Sequence, residues 1–397
     1  MIANKFADYV VADPKELAKK YDENVRAWQG GPSIARTRGG RLFVAFMSGG
    51  IYEPDPRNCG LVVFSDDDGE NWSSPILAIE SRRAERQRIG DLELWTAPNG
   101  ALWLFWPEAP YAEGLAMPTY EQKIDMENDS EYHSLEAQVK LWSAVCEDPD
   151  ADRLVWSEPR MLFPAMMRNH PFVADNGRWI FPTHRTPPDP CYEFRYSDDE
   201  GKTFHVVKRA GRELRRAYDE ATVYRMADGR LAVIVRTAEP MFKRMISADN
   251  GESWSAPAEL FAAASQRPCT LNAKRGGVWL TASVDRKARN GMRLLYSPDG
   301  VDFSEVMVLD DRERVSYAEM AEGEDGTLYI TYDRERNNKI RKSRIAGVSE
   351  AAKEILFARI PPEAQTGTVT PDTVRARVIT KAGINTLVNR FTEETNG

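Results

Sequence analysis

The sequence has few residues of the kinds that bind metals or form disulfides. Its 397 residues include four cysteines and four histidines, and no two cysteines form a CxxC pair. No histidine lies at metal-ligand spacing, so neither a zinc site nor a disulfide framework is indicated. We predict no metal, no cofactor, and reduced, buried thiols at Cys59, Cys146, Cys191 and Cys269.

Long apolar runs and an excess of basic residues are also absent. The longest apolar stretches, such as Ala101–Trp106 and Leu231–Val235, have the length of a strand and fall short of the about 20 residues of a membrane-spanning helix. The net charge of −8 argues against nucleic acid as the main partner, because binding to phosphates needs clustered lysine and arginine. We therefore expect neither a membrane nor a nucleic acid as partner, and the oligomeric state stays open.

A secretory signal is not visible at the N-terminus. The first ten residues include Lys5 and Asp8 and lack an apolar segment that ends in small residues. We expect a cytoplasmic protein, or a secreted one if a leader was removed. Farther along, Asp13 as N-cap and Pro14 at the first position predict a helix over Pro14–Trp28.

What the sequence does contain is a sixfold repeat. A strand, a turn that ends in glycine, and a second strand rich in aromatic and β-branched residues recur at Pro32–Phe46, Leu92–Trp106, His170–His184, Ala221–Arg236, Thr270–Val284 and Ala318–Tyr332. Gly-Gly, Asn-Gly and Asp-Gly at these turns indicate β-hairpins, since tight hairpin turns need positive φ angles. Each copy is therefore predicted to be a β-hairpin.

The spacing of the repeats predicts the architecture. The last glycines of the six turns are 60, 77, 52, 48 and 49 residues apart, which is enough for a four-stranded propeller blade each. We predict an all-β fold, a six-bladed β-propeller over residues 30–360, with a helical segment at 1–29 and a closing tail at 361–397. The longest interval holds an insertion at about 108–134, which we expect to form a loop over one face.

A second turn motif follows several of the hairpins. SDDDGENW (Ser65–Trp72), SDDEGKTF (Ser197–Phe204) and SADNGESW (Ser247–Trp254) fit the pattern S-x-D-x-G-x-x-aromatic, and SPDGVDF (Ser297–Phe303) is a shortened copy. The aspartate can accept backbone N–H groups inside the turn, the glycine allows positive φ, and the aromatic ring can pack between sheets. These are Asp boxes, which we interpret as structural and remote from any active site.

The Asp boxes and hairpins resemble those of the sialidase-like superfamily of BNR (Asp-box) repeat propellers, over about residues 28–360. WQGGP (Trp28–Pro32) opens the first blade, and YDRER (Tyr332–Arg336) closes the last, as in bacterial members of this group. The resemblance implies a propeller whose partner is a carbohydrate. Ligands of propellers gather at the mouth, where the inner strands of all blades begin and end.

The resemblance also implies roles for four residues. Sialidases carry a glutamate that opens blade four and an arginine sixteen positions later, here Glu220 and Arg236. They carry an arginine before the blade-five Asp box and a tyrosine nucleophile that opens blade six, here Arg289 and Tyr317. Glu220 would take the proton of the Tyr317 phenol, a poor nucleophile while protonated. Arg236 and Arg289 would hold a substrate carboxylate by charge-assisted bonds.

Polar residues at other predicted strand ends complete the set of candidates. The loop after the first hairpin offers Asp55, or else Glu53, as general acid. The remaining candidates are Asp91 and His170 for catalysis, and His184, Arg185, Gln29 and Arg26 for substrate binding. Structural roles are the alternative, with Tyr317 packed between blades and the arginines acting as bridges between blades.

One position departs from the sialidase pattern. Gly30 stands where the Arg-Ile-Pro motif of sialidases has the first arginine of the carboxylate-binding triad. Loss of such a contact costs about 1.5–3 kcal/mol, unless Arg26 or Arg36 replaces it. We therefore predict a glycoside hydrolase that cleaves a terminal anionic sugar other than sialic acid. The alternatives are a polysaccharide lyase, in which Tyr317 or His170 abstracts the proton beside a uronate carboxylate, and a glycan-binding propeller without catalysis.

Overall fold

The structure is a computed structural model in which most of the propeller is described. The described residues are 9–26, 28–50, 56–111, 138–185, 191–206, 220–237, 239–264, 266–283, 285, 288–334, 353–366 and 377–381. Of residues 185, 191, 377 and 381 only the backbone is described. The described residues form six blades and a helix near the N-terminus, so the predicted all-β, six-bladed propeller is confirmed.

The strands of the first three blades pair antiparallel, and those of blade three form two separate sheets. Blade one contains β1 (Val10–Val11), β2 (Trp28–Arg36), β3 (Leu42–Gly49), β4 (Cys59–Ser65) and β5 (Leu77–Glu80). Blade two contains β6 (Gln87–Ile89), β7 (Glu93–Thr96), β8 (Leu102–Pro110), β9 (Lys140–Cys146) and β10 (Arg160–Phe163). Blade three contains β11 (Met166–Met167), β12 (Phe172–Val173), β13 (Trp179–Phe181), β14 (Thr183–Arg185), β15 (Cys191–Tyr192), β16 (Arg195–Ser197) and β17 (His205–Val206).

The last three blades have four described strands each. Blade four contains β18 (Ala221–Arg225), β19 (Leu231–Val235), β20 (Phe242–Ser247) and β21 (Ala258–Phe261). Blade five contains β22 (Cys269–Asn272), β23 (Val278–Ser283), β24 (Met292–Ser297) and β25 (Ser304–Asp310). Blade six contains β26 (Val315–Glu322), β27 (Leu328–Arg334), β28 (Glu354–Ile360) and β29 (Arg377–Lys381). Outside the strands lie helix α1 (Pro14–Lys20) and short 3₁₀ turns at Glu23–Val25, Arg83–Glu85 and Pro362–Thr366.

The predicted hairpins are the inner halves of the blades. In blade four, β18 and β19 pair in register, with Ala221 opposite Val235. Successive side chains of a strand point to opposite faces, and here both faces pack against neighbouring blades. Hydrophobic clusters therefore span blades, as where Trp28 of blade one and Trp106 of blade two lie in one cluster. The ring closes where β2 contacts β26 and β27.

The N-terminal helix is shorter than predicted. Asp13 caps α1 by accepting the backbone N–H groups of Lys15 and Glu16, and Pro14 occupies the first turn, as predicted. The helix ends at Lys20, well before the predicted end at Trp28. The reason is packing, since the residue that opens β2 is buried in the core between blades and must be extended to reach it.

Residues before and after the range predicted for the propeller also form strands of its blades. β1, from the segment expected to be helical, pairs with β5 as the outermost strand of blade one. β29, from the expected closing tail, pairs with β28 as the outer strand of blade six. β8 runs to Pro110, so the insertion expected at about 108–134 begins within a strand, and residues 112–137 lie outside the described residues.

The Asp boxes have the hydrogen bonds expected from their sequence. In the first box, Asp67 accepts from Ser65 Oγ at 2.8 Å and from the Asn71 N–H at 2.9 Å. Ser65 Oγ in turn accepts the N–H of Gly69 at 2.9 Å. The second and third boxes repeat this pattern, and the three boxes connect β4 to β5, β16 to β17 and β20 to β21. The boxes therefore serve the fold, as predicted.

Gly69 is the point where the first Asp box meets blade six. A Cβ on it would clash with the ring of Phe357, and its φ is +83°. Gly177 has the same φ, but the described residues place no heavy atom within 4 Å of its Cβ position, chain neighbours aside. We expect Gly177→Ala to lower the free energy of unfolding by the cost of the left-handed conformation, about 1–2 kcal/mol. We expect Gly69→Ala to lower it by about 1–3 kcal/mol more, because of the clash.

Urea or thermal unfolding of the two variants measures this difference directly. Because the backbone angle is the same at both positions, the comparison isolates the packing against Phe357. An equal loss of stability in both variants would contradict the close contact between the first Asp box and blade six.

The inner strands of four blades are irregular. β2 bulges at residues 30–33, and β26 bulges at residues 316–319. In blade two, Asp91 lies in the gap between β6 and β7, and in blade three His170 lies in the gap between β11 and β12. These interruptions leave side chains and backbone groups for contacts across the axis, and several of the candidate residues lie there.

No helix of the described part is long and apolar enough to cross a membrane. The same residues contain no group of three or more His, Cys, Asp or Glu side chains placed to hold a metal. Cys59, Cys146 and Cys269 are buried, as predicted, and burial raises the pKa of the Cys59 thiol to about 12.

Candidate active site

Tyr317 lies in a strained bulge of the inner strand of blade six. Pairing of β26 with β27 is regular up to Ser316 and resumes at Glu319, so Tyr317 and Ala318 together oppose one residue, Tyr332. Tyr317 has φ +54°, a left-handed conformation that is unfavourable for a bulky residue. Such strain persists only where surrounding contacts hold the backbone, and it is concentrated at functional sites.

Tyr317 forms a hydrogen-bonded triangle with Glu220 and Arg236. Its hydroxyl donates to Glu220 Oε1 at 2.5 Å. Arg236 Nη1 is 2.7 Å from Glu220 Oε2 and 3.3 Å from the Tyr317 oxygen. One hairpin supplies both partners, because Glu220 directly precedes β18 and Arg236 directly follows β19. The first distance agrees with the proximity expected from the sequence, while the catalytic roles stay predictions.

Two more guanidinium groups lie against the Tyr317 ring. Arg289 Cζ is 5.1 Å and Arg267 Cζ is 5.2 Å from its centroid. Positive charge beside the ring stabilises the negative charge that develops on the phenol as its proton leaves. Tyr317 is only 6% exposed, yet it belongs to none of the hydrophobic clusters found among the described residues. Its surroundings are polar, unlike those of a ring packed between blades.

Arg267 connects Tyr317 to a buried pair of carboxylates. Its Nη1 is 2.8 Å from Glu93 Oε1, and its Nη2 is 3.3 Å from Glu319 Oε2. None of the three side chains is more than 1% exposed. Burial, together with repulsion from Glu93, raises the pKa of Glu319 well above its ordinary value, and burial also raises the pKa of Glu93. The cluster therefore holds one guanidinium and two carboxyl groups away from water.

Asp91, a candidate for catalysis, is paired with a neighbouring arginine. Its Oδ2 is 2.5 Å from Arg168 Nη1, and its side chain is 1% exposed. The carboxylate fills the space beside Gly31, since a Cβ on that glycine would lie 2.7 Å from Asp91. Asp333 accepts the Gly31 N–H at 2.8 Å. Carboxylates of blades two and six thus border the same stretch of blade one.

Asn169 joins three blades at this level. Its Nδ2 donates to the carbonyl oxygens of Ala221 at 2.8 Å and Pro268 at 3.1 Å. These carbonyls belong to blades four and five, directly after Glu220 and Arg267 in the chain. The candidate residues therefore lie on backbone segments that are tied to one another around the axis.

The two predicted histidines have different surroundings. His170 is partly buried, and its Nδ1 donates to the Pro171 carbonyl at 3.1 Å. Burial lowers the pKa of His170, and the charge of Arg267 adds to this, so the imidazole is neutral at pH 7. His184 is buried in β14. The neighbouring Arg185 is a strand residue whose side chain lies outside the described part.

Gln29 and Arg26, predicted to bind substrate, lie in an interface between blades instead. Gln29 Nε2 donates to the carbonyls of Lys353 at 3.0 Å and Thr380 at 2.8 Å. Arg26 donates to Gln29 Oε1 at 2.9 Å and to Thr380 Oγ1 at 2.8 Å. Both side chains are buried, and they fasten blade one to the outer strand of blade six. A polar residue near a strand end can face the neighbouring blade as well as the mouth, and these two side chains bond the neighbouring blade.

The described site contains the candidate nucleophile, Tyr317, and the candidate base, Glu220, but not the predicted acid. Asp55 and Glu53 lie outside the described residues. The Tyr317 phenol and the Glu220 carboxylate are in position for proton transfer, since a general base must lie within hydrogen-bond reach of the proton that it takes. The arrangement can therefore form a phenolate at Tyr317 surrounded by arginines.

The family of the chain follows from its repeats. Residues 40–330 match the BNR repeat-like domain, which covers well over half of the chain. The chain belongs to the BNR repeat-like family. Among curated proteins there is no sequence match to this BNR repeat-like protein.

Solved structures similar to this BNR repeat-like protein include sialidases. The leech intramolecular trans-sialidase, complexed with 2,7-anhydro-Neu5Ac, has a TM-score of 0.66 at 15% identity, covering 88% of this chain and 70% of its own. The intramolecular trans-sialidase from Ruminococcus gnavus, in complex with oseltamivir carboxylate, has a TM-score of 0.61 at 15% identity, covering 89% and 98%. A protein of unknown function from Dyadobacter fermentans has a TM-score of 0.62 at 16% identity, covering 78% and 91%. At these identities the likeness shows the sialidase-like fold.

Sequence reasoning missed two charged residues of this BNR repeat-like protein. Arg267 lies two residues before β22, the strand that opens blade five, and Glu319 lies in a run of buried residues of β26. Arg267 pairs with Glu319 across two blades, and only the arrangement of the blades around the axis brings the two side chains together. The sequence does offer one signal for such residues, which is a charged residue within a stretch otherwise suited to burial. Buried charges are normally paired, so such a residue predicts a partner of opposite charge.

Proposed function

We propose that this BNR repeat-like protein is a glycoside hydrolase that releases a terminal anionic sugar, with Tyr317 as nucleophile and Glu220 as its base. The observation that carries the proposal is the 2.5 Å hydrogen bond from the Tyr317 hydroxyl to Glu220, with Arg236 bound to both groups. The sialidase-like fold supports a carbohydrate as the substrate.

The proposed reaction has two steps. First, the Tyr317 oxygen forms a bond to the anomeric carbon while Glu220 accepts the phenol proton and the bond to the leaving oxygen breaks. The leaving oxygen needs a proton, which we assign to Asp55. Water then gives a proton to the Asp55 carboxylate as it attacks the anomeric carbon, and it displaces the Tyr317 oxygen, which recovers its proton from Glu220. A neutral phenol suits an anionic sugar, because an aspartate or glutamate nucleophile would be repelled by the substrate carboxylate.

Arg236 and Arg289 are proposed to bind the substrate carboxylate. Both guanidinium groups already lie at Tyr317, and both side chains are only partly buried. Arginine presents a planar fork of donors that matches a carboxylate. A carboxylate held there would keep the anomeric carbon of the same sugar ring within reach of the phenol oxygen.

Sialic acid is not the substrate that we propose. Gly30 has no side chain at the position where sialidases carry the first arginine of the triad, and neither suggested replacement faces the site. Arg26 bonds Gln29 and Thr380, and the guanidinium of Arg36 lies over the Tyr329 ring at 5.8 Å. Two arginines can still bind one carboxylate, and Gly30 leaves the site without a third. These features suit a uronate or another smaller anionic sugar.

A panel of 4-methylumbelliferyl glycosides and uronate-containing glycans tests the proposal. We expect negligible release from the N-acetylneuraminic acid glycoside and turnover of a uronate or deoxy-sugar substrate, with kcat on the order of 1–10³ s⁻¹. A hydrolase produces reducing sugar without a new double bond, a lyase produces the ultraviolet absorbance of an unsaturated uronate, and a binding protein produces neither. Turnover of the sialoside at an ordinary glycosidase rate would contradict the inference from Gly30.

A further inference from the structure

Arg267 is buried at the axis and contacts the backbone of three other blades. Its Nη1 donates to the carbonyl of Arg168 at 3.1 Å, and its Nη2 donates to the carbonyls of Pro32 at 2.8 Å and Tyr317 at 3.1 Å. Glu93 adds a contact to a fourth blade. The side chain has no exposure to solvent, so it cannot touch a substrate.

This cluster is costly for a fold that only needs a filled core. Buried ion pairs often stabilise no more than well-packed apolar residues of similar volume would. Arg267, Glu93 and Glu319 are nonetheless all buried, and Ser33 Oγ donates to Glu319 at 3.2 Å. Retention of three buried charged groups at this point suggests that they determine a particular backbone arrangement.

The arrangement that they contact is the bulge of Tyr317. Arg267 binds the carbonyl of Tyr317 and the carboxylate of Glu319, two residues farther on. On the preceding residue, Ser316 Oγ donates to Asp333 at 2.7 Å. The left-handed residue is therefore held at its own carbonyl and on both sides, as a strained conformation requires.

We propose that Arg267 is a positioning residue, which keeps Tyr317 in its left-handed bulge and so holds the phenol against Glu220 before substrate binds. The expected effect on kcat rests on the proposed function, whereas the position of Tyr317 does not. Arg267 acts through the Tyr317 backbone, which is what separates it from Arg236 and Arg289 at the substrate side.

The substitution Arg267→Lys tests this role. Lysine keeps the charge but lacks the planar fork, so it cannot hold the carbonyls of Arg168, Pro32 and Tyr317 together. We expect kcat on the best substrate of the panel to fall by about 10–10²-fold, with KM within about twofold. A small displacement of the phenol oxygen weakens the transition state more than it weakens substrate binding.

Arg41→Lys is the matched control. Arg41 also bridges two blades, donating to the carbonyls of Pro149 at 3.0 Å and Ala151 at 2.9 Å and pairing with Asp66. It lies in the turn between β2 and β3, at the same end of blade one as the first Asp box. No role in the site is proposed for it. We expect kcat to stay within about twofold of the parent for this variant. Equal losses of kcat in the two variants would overturn the proposal.

A spectroscopic measurement separates this proposal from the proposed function. With 3-fluorotyrosine incorporated at position 317, the ¹⁹F resonance reports the ring's surroundings without any substrate. We expect Arg267→Lys to shift or split the resonance and Arg41→Lys to leave it unchanged. If no glycan is turned over but the resonance responds in this way, the proposed function fails and the positioning role stands. An unchanged resonance in folded Arg267→Lys overturns the positioning role whatever the activity.

Glu319→Gln is the second variant that tests the positioning role, for use if Arg267→Lys does not fold. Glutamine keeps the volume of the side chain but removes a charge that holds the guanidinium, so we expect the same resonance to move by a smaller amount. A resonance at the parent position in folded Glu319→Gln would then overturn the proposal.

Discussion

Tyr317→Phe is expected to lower kcat by about 10³-fold or more, as removal of a nucleophile does. Phenylalanine keeps the ring between Arg267 and Arg289 and removes only the hydroxyl that donates to Glu220. The fold should therefore persist while the bond to the anomeric carbon cannot form. Steady-state kinetics on the best substrate of the glycoside panel measure the effect.

Tyr332→Phe is the matched control for the loss of the hydroxyl. Tyr332 lies on the adjacent strand, is fully buried, and also bonds a carboxylate, that of Asp310 at 3.1 Å. Its loss should lower the free energy of unfolding by about 1.5–3 kcal/mol and leave kcat within about twofold. A Tyr317→Phe enzyme that kept the kcat of this control would exclude Tyr317 as the nucleophile.

A trapping experiment identifies the bond that forms. A fluorinated glycosyl donor with a good leaving group slows release of the sugar, so a covalent intermediate accumulates on the nucleophile. The mass of the intact protein should increase by the mass of the sugar in the parent and stay constant in Tyr317→Phe. A parent enzyme that turns over substrate without any adduct would contradict Tyr317 as a covalent nucleophile.

Arg236→Ala is expected to weaken kcat/KM on an anionic glycan by about 30-fold to a few thousand-fold. This corresponds to the about 2–5 kcal/mol lost when one partner of a buried, hydrogen-bonded charge pair is truncated. Arg236 contacts both Glu220 and Tyr317, so its removal affects the carboxylate of the substrate and the base of the mechanism together. The loss should be smaller on a neutral glycan, where only the second effect remains.

Arg230→Ala controls for the loss of an arginine from the same hairpin. Arg230 lies at the turn end of blade four and pairs with Asp228. We expect kcat/KM to stay within about twofold for this variant. If Arg236→Ala left kcat/KM unchanged on every anionic glycan, the anionic substrate would be excluded, although the Tyr317 mechanism could still hold for a neutral sugar.

Local patterns predicted the scaffold because their causes are local. A Gly-containing turn between two alternating strands is stable within a few residues, so the hairpins were visible in the sequence. The Asp box closes its own hydrogen bonds between Ser65 and Asn71, and its role was predicted for the same reason. The exact end of α1 was not, because it depends on where Trp28 packs between blades.

The resemblance to sialidases led to Tyr317 and Glu220, which are 97 residues apart in the chain. Their separation along the sequence says nothing of their distance, and only the closed ring of blades places the two oxygens 2.5 Å apart. The same closure decided the contacts of Gln29, which bonds blade six, since a side chain near a strand end has two possible neighbours and the sequence does not choose between them.

The sequence by itself determined that this chain forms six blades with Asp boxes, because turns, strands and repeats are set by neighbouring residues. Only the tertiary structure decided which polar residues meet. Arg267 and Glu319 became a buried cluster with Glu93 because three blades converge on one axis, where water is excluded and each charge must find its partner in another blade. Tyr317 took its left-handed conformation for the same reason, since contacts from outside its own hairpin hold it there.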